Sequence, residues 1–214
     1  MDSKYAQNEN IYVFTDNIVI EKEVSDLDCK VIITEGEYKN GSERISKNLC
    51  KLDVSYDIVV NVQADEPFIS PKNIDFCIGK HLETDGDDDK LFYTTLHETQ
   101  NTEDYLKSTA SLKVIVDMNN NVIYYSRNII PWNKNGEINR DFVYKTFTGI
   151  YVYDTDKLKI YGDLSDTPLQ ISEDCEQLKI LEHGYKIKSY ETVEYNEISL
   201  NTVEDYEFLT EKYS

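Results

Sequence analysis

Two acidic side chains, Asp65 and Glu66, follow closely on the apolar run Ile58, Val59, Val60 and Val62 and stand directly before Pro67. A carboxylate in such a place can hold a hard cation, and the cation can hold a nucleotide phosphate. A run of β-branched residues is what a strand buried on both faces of a parallel sheet looks like. In open α/β sheets the ligand crevice lies outside the carboxyl ends of those strands. The same residues equally describe a plain strand exit with solvated acids, and the segment alone does not separate the two.

The elements that must position these acids are legible from hydrophobic period and turn chemistry. Strand-like runs cover 11–15, 31–34, 58–62, 92–96, 112–116, 122–125 and 148–153. Between them lie helical patterns. Ile45, Leu49 and Leu52 repeat at helical spacing behind Gly41 and Ser42, and Ser70-Pro71 supplies a cap and a first-turn proline for a helix through Ile74, Ile78 and Leu82. Ser172, Glu173 and Asp174 are expected to open a helix through Leu178 and Leu181 that Gly184 stops, and Thr202 with Asp205 caps a last helix through Leu209. Early alternation of strand and helix predicts a parallel, Rossmann-like sheet. The region 92–153 reads as partly antiparallel, because 117–121 is an Asn-rich turn between two strands.

Composition narrows the function. The chain has 214 residues, enough for one α/β domain spanning 1–214, and 40% of them are hydrophobic, which excludes a disordered chain. The net charge of −19 repels phosphate polymers and argues against nucleic-acid binding. It also requires any anionic substrate to meet local cations or a metal. Cys29, Cys50, Cys77 and Cys175 form no CxxC pair, so buried, reduced structural thiols are expected. His81, His97 and His183 are scattered and expected at surfaces or helix ends. The acidic run 85–89 lacks the ligand spacing of a calcium loop and reads as a solvated turn. With no signal-like or membrane-length apolar segment, a soluble cytoplasmic protein without a membrane partner is expected.

Six blocks occur in one order: GSERI from Gly41, VNVQADEP from Val60, YYSRNIIPW from Tyr124, GIYVY from Gly149, TPLQISEDCEQLKIL from Thr167 and NTVEDYEFL from Asn201. Together they resemble the cytidylyltransferases that make CMP-activated 3-deoxy-manno-octulosonate (Kdo), over nearly the whole chain. The related sialic-acid enzymes lack the QxDEP block, which favours the Kdo branch. The resemblance implies an α/β fold with a Rossmann-like mixed sheet of the nucleotide-diphospho-sugar transferase type, and typically a homodimer, with 92–153 as the dimerisation region. It implies magnesium-dependent transfer of CMP from CTP to an acidic sugar, releasing pyrophosphate. On it, Asp65 is the catalytic and metal-binding carboxylate, Ser42, Glu43, Arg44 and Gln63 lie on the nucleotide side, and Arg127, Tyr151, Glu176 and Gln177 hold the sugar. Arg44 reads equally well as a structural ion pair, and Glu176 with Gln177 also reads as a polar helix face.

The departures bear on activity. The family's opening strand and basic, glycine-containing phosphate loop have no counterpart, so the chain resembles an N-terminally truncated member. The missing strand is interior to the family's sheet, and two rows of backbone groups are expected to lose their partners or close together. Asn201 stands where the family has a second metal aspartate and is the second candidate metal ligand beside Asp65, an uncharged one that holds a hard cation less firmly; Phe147 replaces a histidine, Ala110 an asparagine and Ala64 a glycine. Two readings follow: an enzyme of this class, or a non-catalytic descendant that serves as a binding or partner subunit.

Overall fold

The computed structural model describes residues 3–5, 7–84, 89–100, 102–195, 199–200 and 202–213. Asn201 and most of the acidic run 85–89 fall outside them. In chain order the elements are β1 (Tyr12–Thr15), α1 (Ile18–Val24), β2 (Lys30–Ile33), α2 (Gly41–Asn48), β3 (Ile58–Val62), α3 (Pro71–Thr84), β4 (Leu91–Gln100), α4 (Glu103–Lys107), β5 (Lys113–Val116), β6 (Val122–Ser126), β7 (Tyr144–Asp154), α5 (Thr155–Tyr161), α6 (Pro168–Glu173), α7 (Glu176–Glu182), β8 (Lys186–Glu191) and α8 (Val203–Tyr213).

The main sheet is mixed. Its strands run β6-β5-β7-β4-β8, and β3 joins the other side of β7. The long β7 organises it, pairing antiparallel with β3, β4 and β5, while β4 and β8 are parallel. Side chains alternate across β7. Tyr151 and Tyr153 join Phe92, Tyr93, Leu158 and Leu178 on one face. Ile150 and Val152 join Leu96, Ile74, Cys77 and Ile78 of α3 on the other. This period-two division is what lets one strand serve two cores.

Four expectations need correction here. β3 is not buried on both faces of a parallel sheet. Among the described residues it bonds only β7, antiparallel, and Ile58, Val59 and Val60 stay half-buried. Instead β1 and β2 pair parallel in a separate two-stranded sheet. The helix expected to open at Ser172 is two helices. Asp174 takes a left-handed conformation (φ 46°) and ends α6, and α7 starts afresh at Glu176. Finally, His81 and His97 are core residues. His81 lies within hydrogen-bond distance of Thr94 and Asp154, and His97 of Ser189. Burial lowers the His97 pKa to about 4, so it is neutral. Of the cysteines, Cys77 and Cys175 are buried, but Cys50 is exposed; none is bridged.

The local reading holds elsewhere. Ser70 Oγ accepts from Lys72 N ahead of α3. Thr202 and Asp205 bond reciprocally at the start of α8. The 117–121 turn joins the antiparallel pair β5 and β6.

Candidate active site

A cleft of about 620 Å³ opens at the carboxyl end of β3, where Asp65, Glu66, Arg127, Tyr151 and Glu176 share its walls. A smaller chamber of about 180 Å³ adjoins it through Glu66, Tyr105, Phe147 and Ser199.

The chain leaves β3 through a tight turn, with Glu66 N donating to the Gln63 carbonyl at 3.1 Å. This turn sends the two acids in different directions. Glu66 goes inward, where its Oε1 accepts from Gly149 N at 3.0 Å and Ser199 Oγ at 2.8 Å. Its approach explains Gly149: a methyl there would lie 2.8 Å from Glu66 Cγ and 3.1 Å from Gln63 Oε1. The register of β4 against β7 also slips here, with Thr95 opposite Tyr151 and Leu96 opposite Thr148. Such an irregularity re-aims side chains beside a site.

Asp65 is different. Its backbone carbonyl accepts from Leu200 N, yet its Oδ1 is buried with no hydrogen-bond partner among the described residues. Leaving a polar oxygen so costs about 1–3 kcal/mol unless something else satisfies it. Burial raises the pKa of Asp65. Burial likewise raises that of Glu66, to which the Asp65 charge adds, against the Gly149 and Ser199 bonds. A cation between such groups would reverse both effects. No group of three metal-ligating side chains exists among the described residues. The donor set therefore suits an ion held by one or two carboxylates and completed by substrate oxygens.

The opposite wall comes from β7 and α7. Tyr151 is fully buried, and its hydroxyl accepts from Gln63 Nε2 at 3.0 Å and Gln177 Nε2 at 2.7 Å. Glu176 accepts from Gln63 Nε2 and from Tyr161 OH, each at 3.3 Å. Burial pushes its carboxyl pKa up, against the hydroxyls of Tyr151, Ser42 and Tyr161. The break at Asp174 places Glu176 at the first position of α7, and Arg127 holds that break. Its Nε donates to Glu173 O, Nη2 to Asp174 O, and Nη1 to Thr109 O and Ala110 O, at 2.8–3.2 Å. Four of five guanidinium donors are thus spent on main chain, and Arg127 does not offer a two-pronged fork to a carboxylate here.

The GSER turn sits outside the cleft walls. Ser42 is buried against Tyr153 OH at 2.9 Å. Glu43 accepts from Lys39 N and Lys47 Nζ. Arg44 bonds Thr34 and Asp16 and lies over the Tyr38 ring. The structure thus brings together Gln63, Asp65, Arg127, Tyr151, Glu176 and Gln177, and it keeps Ser42, Glu43 and Arg44 as supports behind them. Among the wall residues given no role from the sequence are Glu66 and Lys39. Glu66 was readable as half of the acidic pair. Lys39 follows no motif, and its ammonium is engaged by Asp166.

Residues 2–187 match the family model described as cytidylyltransferase. The mitochondrial 3-deoxy-manno-octulosonate cytidylyltransferase of Arabidopsis thaliana is 41% identical over 180 residues, covering 84% of this chain; the chain spans only 60% of that relative's length. The 3-deoxy-manno-octulosonate cytidylyltransferase of Fusobacterium nucleatum subsp. nucleatum is 36% identical over 206 residues, 96% of this chain and 80% of the relative. Among solved structures, CMP:2-keto-3-deoxy-manno-octonic acid synthetase complexed with CTP superposes with a TM-score of 0.81 at 26% identity, covering 100% of this chain and 84% of that one.

Proposed function

The chain belongs to the 3-deoxy-manno-octulosonate cytidylyltransferase family, and on that premise we propose that its cleft binds CTP and transfers CMP to an acidic sugar of the Kdo class. The observation that carries the reading is the orphaned, buried Oδ1 of Asp65 at the carboxyl end of β3. A positive charge beside that oxygen would offset its burial, in a chain of net charge −19.

In the reaction the sugar's anomeric hydroxyl oxygen bonds to the α-phosphorus. The bond from that phosphorus to the α–β bridging oxygen breaks, pyrophosphate leaves with the electron pair, and the hydroxyl proton passes to water. Asp65, with Glu66 behind it, would hold magnesium, which supplies the charge that offsets the phosphate oxygens. Gln63 and Gln177 fix the Tyr151 hydroxyl, and Glu176 adds a second acceptor beside it, a polar wall suited to sugar hydroxyls. Arg127 acts on the sugar side as a positioning residue, since it pins the carbonyls of Glu173 and Asp174 ahead of Glu176.

One observation favours a second reading, a non-catalytic binding subunit. The two cations on the cleft walls, Lys39 and Arg127, are both engaged within the protein. Pyrophosphate release assayed with CTP, Kdo and magnesium decides. Release that needs all three supports the enzyme, and release no higher than with CTP alone rejects it.

A further inference from the structure

The loop between α4 and β5 carries four successive main-chain carbonyls that two cations divide between them. Lys113 Nζ donates to Ser108 O at 2.6 Å and to Ser111 O at 2.8 Å. Arg127 Nη1 donates to Thr109 O at 3.2 Å and to Ala110 O at 3.1 Å. The lysine takes the outer pair and the arginine the inner pair. Lys113 opens β5, paired with Ser126 of β6 and Thr146 of β7, and it is fully buried. An ammonium has three donors and no acceptor, and burying it is costly unless acceptors receive it. An apolar side chain would fill the same place in the sheet without that cost, so packing alone does not explain the charge.

The loop is part of the cleft, since Ala110, Ser111 and Leu112 line it beside Arg127. Ser111 Oγ ties the loop to α4 by donating to Tyr105 O at 2.9 Å, and Phe147 N ties its end to β7 by donating to Leu112 O at 2.8 Å. On its other side Arg127 donates to Glu173 O and Asp174 O, and the Glu173 carboxylate accepts from Ser126 Oγ and Arg127 N at 2.9 Å each. Arg127 therefore joins the loop to the helix break that sets Glu176, and its hold is as firm as the loop is. Two charged groups act on Lys113: Arg127, just past β6, and Glu173, at the end of α6. From β7 and the loop it meets the neutral Thr146, Ser108 and Ser111. Burial first, and then Arg127, bring the Lys113 pKa down to about 8, against Glu173. A neutral amine grips a carbonyl about half as strongly as an ammonium does.

We propose that Lys113 is a positioning residue for cytidylyl transfer: its ammonium holds the Ser108 and Ser111 carbonyls, which fixes the loop bracing Arg127 and, through Arg127, the place of Glu176 on the sugar side of the cleft. The inference rests on the sugar-side reading of Tyr151 and Glu176 given above. Lys113 is not among the residues of the cleft wall and acts through the main chain. Asp65 hangs from β3 instead, so loss of the brace should weaken use of the sugar more than use of CTP.

Lys113→Met keeps an unbranched stem and removes the donors, and Lys113→Gln keeps an amide donor without the charge. Pyrophosphate release with CTP, Kdo and magnesium gives kcat and KM for each. The expected result is kcat/KM for Kdo lowered about tenfold or more in Lys113→Met and less in Lys113→Gln, with KM for CTP within about threefold of the parent. In the parent, kcat/KM for Kdo should fall as pH rises through about 8, and Lys113→Met should lack that limb. Equal losses for both substrates, or a parent profile flat from about pH 7 to about 9.5, overturn the inference. The parent profile needs no variant, so misfolding of either leaves the test intact. Amide hydrogen exchange without substrates separates the brace from the reading beneath it. Exchange at Cys175 and Leu178, whose amides bond Gln170 O and Cys175 O, should quicken about tenfold in Lys113→Met while the core strand β7 is unchanged. Unchanged exchange at Cys175 and Leu178 overturns the brace even where transfer proceeds. A parent that releases no pyrophosphate, with exchange quickened in the variant, overturns the transfer reading and leaves the brace standing.

Discussion

The unit β1-α1-β2 and the sheet built on β7 are made of similar residues and held in different ways. Around β7, Tyr93, Tyr151 and Tyr153 are fully buried with ring centroids 5.1–6.0 Å apart. The inner strands β5, β7 and β4 have strand neighbours on both edges, and aromatic pairs add to the burial. In β1-α1-β2 the helix has no buried residue, and Ile18 and Val19 are 63% and 60% exposed. A strand pair with one helix cannot bury its apolar surface alone. β3 belongs to both regions, paired on one side and open on the other, and the acids of the cleft hang from its end. The site is thus anchored at the end of β3 and walled by residues of the sheet built on β7 and of α7, not by β1-α1-β2.

The contrast can be broken most directly by truncating one apolar residue in each region. Leu96→Ala empties a fully buried position between β4 and α3 and should cost about 2–5 kcal/mol in chemical denaturation. Val19→Ala should stay within about 0.5 kcal/mol. Comparable losses would mean that β1-α1-β2 is packed as tightly as the sheet.

At the boundary, Asp65→Asn should lower cytidylyl transfer about 100- to 1,000-fold with little change in melting temperature. Removing a desolvated charge does not weaken the fold, so a large loss of stability would place Asp65 in the scaffold instead.

Gly149→Ala tests the close approach of Glu66 to β7. A methyl 2.8 Å from Glu66 Cγ should cost about 1–3 kcal/mol and reduce turnover by shifting Gln63 as well. A neutral result would show that Glu66 can move freely.

The smallest effect is one of pH. Burial raises the Glu176 pKa above its ordinary 4.5 in the folded protein. The folded state therefore binds that proton more tightly than the unfolded one, and the stability Glu176 contributes is complete below about 4.5 and lost as pH rises through the folded value. Glu176→Gln should then melt higher than the parent at pH 8, with the gap closing as pH falls toward 4.5. A gap that widens on acidification would contradict the burial argument.

How much of this was legible beforehand follows from what each signal depends on. β3 was readable to the residue because an apolar run followed by Gln-Ala-Asp-Glu-Pro marks both the strand and its end. The caps at Ser70 and Thr202 were readable because capping is local chemistry. The open edges of β1 and β3 were anticipated from the strand that the family pattern has between them. The break at Asp174 was not readable: it is held by Arg127, 46 or 47 residues earlier in the chain, and nothing in Ser-Glu-Asp distinguishes a cap from a stop. β8 was missed because Lys186, Lys188 and Ser189 dilute its apolar alternation, and only pairing with β4 makes it a strand. The cleft membership of Gln63, Asp65, Arg127, Tyr151, Glu176 and Gln177 came from motif order. The engagement of Arg127 with carbonyls and of Glu43 with lysine depends on long-range geometry that a motif does not carry.

The most direct test is a calorimetric titration of CTP into the chain and into Asp65→Asn, each with and without magnesium. CTP binding that strengthens with magnesium in the parent, and loses that dependence in the variant, is the predicted result. Binding that ignores magnesium in both, or an unchanged magnesium dependence without the Asp65 carboxylate, would contradict the account.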